Sequence, residues 1–344
     1  MKKAFSFSAL FMIVTMLTGC VTINATINIT GNEIAVETEI GNESDENAQG
    51  SEISYHFADK DEAVSCYLSN TDYFNGFSQY DIQYRTQDVN GTLDEMMEFG
   101  ASQMEEFTEE EKTAYNDIIE EMRADLKTSG YTLPEMDEFI LIRSTQEEEA
   151  GSGAYTHGSQ IYLGQMIADM VCSDNEEDRI WGKQILWHEI FHCLTRSNPE
   201  FRSDMYKLIH FTVQDEEYEI PPSVLAQFIS NPDVEHHNSY ATFDIDGKDT
   251  DCFIALIATE PFEKEGDTFF DCFTSVLVPV DGSDVYYLPD EAENFWEIFG
   301  ENTDYVIDPE ECMADNFSFA MTYGLDAEYE NPEIIEAIID YLSE

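Results

Sequence analysis

The 344-residue chain carries 73 acidic against 15 basic residues, a formal charge of −58 at pH 7. Such a surface repels phosphate backbones and anionic headgroups, which excludes nucleic acid as a partner and reads as a solvated acidic exterior. With 42% apolar and 13% aromatic residues the chain can still build a sizeable core, as one large domain or two ordinary ones.

Lys2 and Lys3 precede an apolar run from Ala4 to Leu17, short for a bilayer span, which ends in Leu17-Thr18-Gly19-Cys20. This resembles a bacterial lipoprotein signal. The resemblance implies a signal peptide at 1–19, acyl chains on Cys20, and a protein held by the lipid bilayer on the extracytoplasmic face of the cell envelope. From Val21 to Ile40 apolar and polar residues alternate around Gly31-Asn32, which predicts a hairpin. The polar stretch from Asn42 to Ser51 predicts a tether or a surface loop, so 20–51 is expected as an anchored hairpin and tether before a main domain at 52–344. Cys66, Cys172, Cys193, Cys252, Cys272 and Cys312 permit three disulfides in an exported chain. Cys252–Cys272 is favoured among them, with buried free thiols as the alternative.

In the main domain Thr108 and Glu111 form a capping box, and Tyr115, Ile118, Ile119, Met122 and Leu126 recur at helical spacing as far as Gly130. A strand is expected at Phe139–Ile142 and another from Ala154 to Leu163. In the second, Tyr155, Thr156 and His157 are expected near a cleft or at ordinary surface positions. Ser173 with Glu176 predicts the start of a helix running to about Thr195, and Asn198-Pro199 the start of another to about Ile209.

The first of these helices carries His188-Glu189-Ile190-Phe191-His192, the pattern H-E-x-x-H. Residues four apart share a helical face, so both imidazoles can bind one Zn2+ ion while Glu189 reaches a water beside it as general base. A zinc hydrolase needs a third protein ligand and an open position. The extended pattern with glycine at 195 and histidine at 198 is excluded by Thr195 and Asn198. Glu200 and Glu216 lack a carboxylate partner in register. Farther on, Pro309 can start a helix on which Glu311 and Asp315 are four apart, Glu311 as ligand and Asp315 as acceptor for a histidine N–H. That is the gluzincin pattern E-x-x-x-D; Glu310 has Ala314 at the matching position.

The chain also resembles a family of bacterial zincin-like proteins. The resemblance rests on the H-E-x-x-H block continuing as Leu194-Thr195-Arg196-Ser197-Asn198-Pro199-Glu200-Phe201-Arg202, and on Ala154-Tyr155-Thr156-His157-Gly158. It further rests on Asn231-Pro232-Asp233, and on Asp308-Pro309-Glu310-Glu311 with Ala314-Asp315-Asn316-Phe317. These blocks lie in order between Leu133 and Leu325; the family's usual histidine before the proline is Asp308 here. The resemblance implies an α+β zincin-like metallopeptidase domain with an active-site helix, a preceding edge strand and, at about 215–290, a β-rich insertion. It also implies the thermolysin-like mechanism, with a peptide or protein as substrate. Strands within the insertion are expected at Tyr240–Phe243, Cys252–Thr259, Thr268–Pro279 and Val285–Leu288, and a short helical turn at Phe295–Phe299. For the donor to the tetrahedral intermediate, His236, His237 and Tyr240 are candidates and Tyr240 is preferred. The alternative to an enzyme is an acidic surface lipoprotein that binds metal without catalysis.

Overall fold

The computed structural model describes residues 53–343 and the backbone of 26–30 and 33–37; Cys20, the apolar run before it and the polar stretch at 42–51 lie outside the described residues. The chain divides into two units, 1–49 and 50–344. In the first, β1 (Thr26–Thr30) and β2 (Glu33–Glu37) pair antiparallel with Thr30 opposite Glu33; Gly31-Asn32, expected as the turn, lies outside the described residues.

The second unit is mixed α+β. After β3 (Tyr55–Phe57) come four short helices, α1 (Lys60–Ser69), α2 (Thr71–Asn75), α3 (Gln79–Thr86) and α4 (Leu93–Ser102), for which the sequence reading gave no expectation. Capping boxes start two of them, Ser78 with Asp81 and Thr92 with Glu95. β4 (Met104–Glu105) leads to α5 (Glu109–Ser129), capped by Thr108 and Glu111 and stopped by Gly130, whose φ of 73° is a left-handed C-cap. β5 (Phe139–Ser144) follows.

The single strand expected from Ala154 to Leu163 is a tight hairpin, β6 (Ala154–His157) and β7 (Gln160–Leu163). Gly158 takes a φ of 55° and turns the chain back after four residues. The sheet order is β3-β5-β7-β6, with β3 and β7 parallel to β5, β6 antiparallel at the edge, and β4 pairing the end of β5. Tyr155, Thr156 and His157 are buried rather than on the surface.

After α6 (Gln165–Val171), α7 (Glu176–Ser197) carries the H-E-x-x-H block. Its N-cap is Asn175, which accepts from Glu177 N; Ser173, expected in that role, donates instead to Asp178. In α8 (Pro199–Lys207) the proline sits in the first turn, while the Asn198 side chain bonds the Leu194 and Glu135 carbonyls and caps nothing.

β8 (Thr212–Val213), α9 (Pro222–Leu225), β9 (Ser239–Ile245), β10 (Lys248–Ala258) and β11 (Phe273–Pro279) form the β-rich region, a sheet ordered β11-β10-β9-β8. Val285–Leu288 makes no strand there; only Tyr287 bridges, to Leu277. The register pairs Cys252 with Pro279, so Cys252 and Cys272 stand at opposite ends of the ladder and form no bridge. All six cysteines after Cys20 are free. α10 (Phe295–Phe299), α11 (Pro309–Tyr323) and α12 (Pro332–Leu342) complete the chain. Among the described residues, no helix is long and apolar enough to cross a membrane.

Packing of α7 on α11 positions the site. Phe317 of α11 meets Trp187 and Phe191 of α7 at ring separations of 6.2 and 5.4 Å, and Phe191 meets Phe201 of α8 at 5.7 Å. All four rings are buried, each worth roughly 2–3 kcal/mol in burial alone. They lie on the core faces of the two helices. The adjoining faces, bearing His188, His192, Glu310 and Glu311, are thereby held against each other.

Candidate metal centre

Helical spacing stacks His188 and His192 one turn apart, with ring centroids separated by 4.9 Å. Each ring is fixed by a carboxylate of α11. His188 Nδ1 lies 2.9 Å from Asp315 Oδ1, and His192 Nδ1 lies 3.0 Å from Glu310 Oε1. An ionised carboxylate only accepts, so both Nδ1 atoms carry a proton and both Nε2 atoms face the other way.

Both Nε2 atoms converge on one oxygen. Glu311 Oε2 is 3.1 Å from His188 Nε2 and 3.7 Å from His192 Nε2. The other oxygen of Glu311 is occupied, accepting from Asn231 Nδ2 at 2.5 Å and from the Tyr305 hydroxyl at 3.3 Å. His192 Nε2 is buried and has no hydrogen-bond partner. An uncompensated polar atom in a protein interior costs about 1–3 kcal/mol. Two Nε2 atoms and a carboxylate oxygen aimed at one point are what a cation satisfies, displacing the proton that His188 Nε2 shares with Glu311. Ligand atoms around a tetrahedral zinc ion lie about 3.3 Å apart, given metal–ligand bonds near 2.0–2.1 Å. The set His188, His192 and Glu311, with all three donor atoms within 4.8 Å of one another, fits that requirement.

Charges follow the geometry. Burial alone would push His188 down, but its bonds to Asp315 and Glu311 outweigh that and hold it well above the ordinary histidine value. Burial likewise opposes the ionised form of Glu310, yet His192, Arg196 and Arg202 bring its pKa down to about 2. The Tyr206 hydroxyl and Thr195 Oγ1 also donate to Glu310.

Glu189 is buried beside this cluster, and Thr156 Oγ1 of the edge strand donates to its Oε2 at 2.7 Å. Asp233 stands on the same side. Its Oδ1 accepts from Thr156 N at 2.6 Å and lies 3.9 Å from His192 Nε2. Burial, with the nearby Glu189 and Glu311 carboxylates, lifts Asp233 well above the usual carboxylate range. Glu189, His192 and Asp233 form a second set of donor atoms within 4.8 Å.

The structure brings His188, Glu189, His192, Glu311 and Asp315 together. Tyr240 is not brought to them. It sits in β9 opposite Thr212, and its nearest ring contact is Tyr218, at 6.5 Å, because the strand belongs to the β-rich sheet. His236 is bound to Glu217, and His237 is partly buried against Phe228, with desolvation lowering its pKa to about 4. The tyrosine beside the cluster is Tyr305, with its ring 6.1 Å from that of His188 and its hydroxyl donating to Glu311. Nothing local in the sequence marks Tyr305, which lies in the loop before α11. Glu310 was passed over because its helical register lacks a partner at 314; its partners are on α7 and α8. Asp233 had one signal, the Asn231-Pro232-Asp233 block. Asp308 caps α11 by accepting from Glu310 N and takes no other part. Compared with protein-family models, with curated proteins and with solved structures, the chain matches none.

Proposed function

We propose that the chain is a zinc-dependent hydrolase of the gluzincin kind, a peptidase tethered through acylated Cys20 outside the cytoplasm. One observation carries the reading: both histidine Nε2 atoms and one Glu311 oxygen converge, while every opposing atom of those three side chains is held by a hydrogen bond. His188, His192 and Glu311 would hold zinc, which when bound supplies a Lewis acid able to acidify water and polarise a carbonyl.

The chain's own residues do the rest. Glu189 takes the proton of the attacking water and passes it to the leaving amine, and Thr156 keeps its carboxylate aimed. Tyr305 is the donor placed to meet negative charge developing on the substrate oxygen. Asp315 and Glu310 fix the ring orientation and basicity of the two histidines.

Metal analysis of the whole chain in detergent tests this. About one zinc per chain is expected in the wild type, lost in His188→Ala and Glu311→Gln and kept in Glu189→Gln, which would bind peptide without cleaving it. A wild-type chain that takes up no zinc when supplied with it sinks the reading. Zinc uptake with no peptide cleaved by wild type would instead leave a metal-binding surface lipoprotein.

A further inference from the structure

The edge strand beside the cluster is mostly closed. Gly153 O accepts from Gly164 N, and Tyr155 and His157 pair with Tyr162 and Gln160, so odd-numbered residues of β6 face β7. Even-numbered residues face outward. Of these, Thr156 gives its N–H to Asp233 and its carbonyl to Arg196, and Gly158 gives its N–H to Glu235. The backbone of Ala154 is the outward pair left for another strand.

Ala154 lies between two cavities, and together with Ser152 and Tyr305 it lines both. One, of about 410 Å³, reaches from His188 and Glu189 along Met166, Trp181, Ile185 and Phe319. The other, of about 370 Å³, reaches from Asp233 along Ile229, Leu256, Phe270 and Phe273. Met166, Trp181, Phe270 and Tyr305 are among the large apolar side chains this protein leaves exposed. Ligand pockets span roughly 300–1,000 Å³, so each cavity suits one or two side chains.

Neither cavity offers a group for a chain terminus. The first has no lysine or arginine in its wall, and the only cation in the second, Arg85, is committed to Asp81, Glu149 and the Ser230 carbonyl. Of the carboxylates, Asp315 is bound on both oxygens by His188 and Thr303, and Glu149 by Arg85 and Tyr73. Glu189 and Asp233 are each held on one oxygen by Thr156 and stand at the histidine cluster itself, where the scissile bond and not a chain end would lie.

We infer that this cleft takes the interior of an extended polypeptide, paired at Ala154, with an uncharged apolar side chain in the cavity on each side, and does not recognise a chain end. The inference rests on the peptidase reading for its chemistry but not for its binding geometry.

The test uses labelled ten-residue peptides on the full-length, zinc-supplied protein, with anisotropy for binding to Glu189→Gln and chromatography for cleavage by wild type. One peptide has a central Phe-Leu and both ends capped, a second has the same sequence with free ends, and a third is capped with a central Ser-Asn. The capped Phe-Leu peptide should bind about as well as the uncapped one and about 10-fold or more better than Ser-Asn, the range expected of apolar pocket discrimination. Phe270→Asp and Trp181→Asp, both at exposed positions that folding tolerates, should each remove about 10-fold of that affinity. Loss of binding on capping, equal binding of Ser-Asn, or no peptide bound at all would overturn the inference. Capped peptide bound with the expected preference but never cut by wild type would sink the peptidase reading alone. Scission of free-ended peptides only would keep that reading and sink this one.

Discussion

Two of the clusters of charge buried among the described residues are finished differently. Around Arg85 the cluster is closed. Its guanidinium reaches Asp81 at 2.8 Å and Glu149 at 2.7 and 3.0 Å, the Tyr73 hydroxyl and the Ser230 carbonyl, with Phe77 and Phe269 over its faces. Asp81 accepts in addition from Ser78 N, Ser230 N and Ser230 Oγ. No buried polar atom of Arg85, Asp81 or Glu149 lacks a partner. Around His192 the cluster is open, with acceptors converging and Nε2 unsatisfied. A closed cluster holds structure, here the segment that leads through Ser230 to Asn231 and Asp233. An open one waits for a ligand.

Removing a charge from each should therefore have opposite consequences. Arg85→Met strands Asp81 and Glu149 in the interior and should cost about 3–5 kcal/mol in urea unfolding, by the same amount with or without zinc. Glu311→Gln should cost the zinc-free protein far less, since a Gln oxygen can still accept from His188 Nε2 and an imidazolium, unlike a stranded guanidinium partner, can give up its proton. It should abolish the rise in midpoint that zinc gives wild type. An Arg85→Met chain of wild-type stability, or a Glu311→Gln chain badly destabilised without metal, would erase the distinction.

Glu148 sharpens the comparison, because it is adjacent to Glu149 yet outside the guanidinium's reach. It is fully buried, accepts from the Tyr155 hydroxyl through Oε1, and has no partner on Oε2. Burial pushes its carboxyl from 4.5 up to about 7. A folded-state pKa above the unfolded one stabilises fully below pH 4.5, and that contribution fades as pH rises through 7. The loss above pH 8 amounts to roughly 3 kcal/mol by the linkage of pKa shift to free energy. Glu148→Gln, which does not ionise, should match wild type in urea unfolding at pH 4.5 and exceed it at pH 8.5. Equal pH profiles for the two chains would show that Glu148 ionises in the folded protein without penalty.

What the sequence made legible were features with local signatures. A capping box and helical apolar spacing set α5, an apolar face set α7 although its cap is Asn175 and not Ser173, and Pro309 set the start of α11; an i, i+4 pair on each of α7 and α11, with Glu189 beside the first, named five residues that the fold brings together. Features whose cause lies across the fold were not legible. The helices α1 to α4 are short, with apolar stripes too brief to register, although the Ser78/Asp81 and Thr92/Glu95 boxes were there to be read. One glycine with positive φ split the expected strand into β6 and β7. Cys252 and Cys272 were paired from neighbouring strands, but a ladder's register, which fixes who faces whom, is a property of both strands. Tyr305 and Glu310 are functional candidates only through partners on other elements.

The finest comparison is within the open cluster, between the two carboxylates behind the histidines. Asp315→Asn and Glu310→Gln each remove a charge while keeping an oxygen for the ring N–H, and loss of such a partner typically costs 10–100-fold in metal affinity. The surroundings separate them. The Asp315 and His188 side chains are 19% and 14% exposed, whereas Glu310 and His192 are 6% and 0% exposed. Water screens the first pair and not the second, so the charge on Glu310 acts on its histidine more strongly. Glu310 also balances Arg202, 3.9 Å away, whose repulsion of a cation would be uncovered by the substitution. Chelator competition should therefore place Asp315→Asn near the 10-fold end of the range and Glu310→Gln near the 100-fold end. Equal losses would mean that the two carboxylates act through ring orientation alone, their difference in burial and charge having no effect at the metal position.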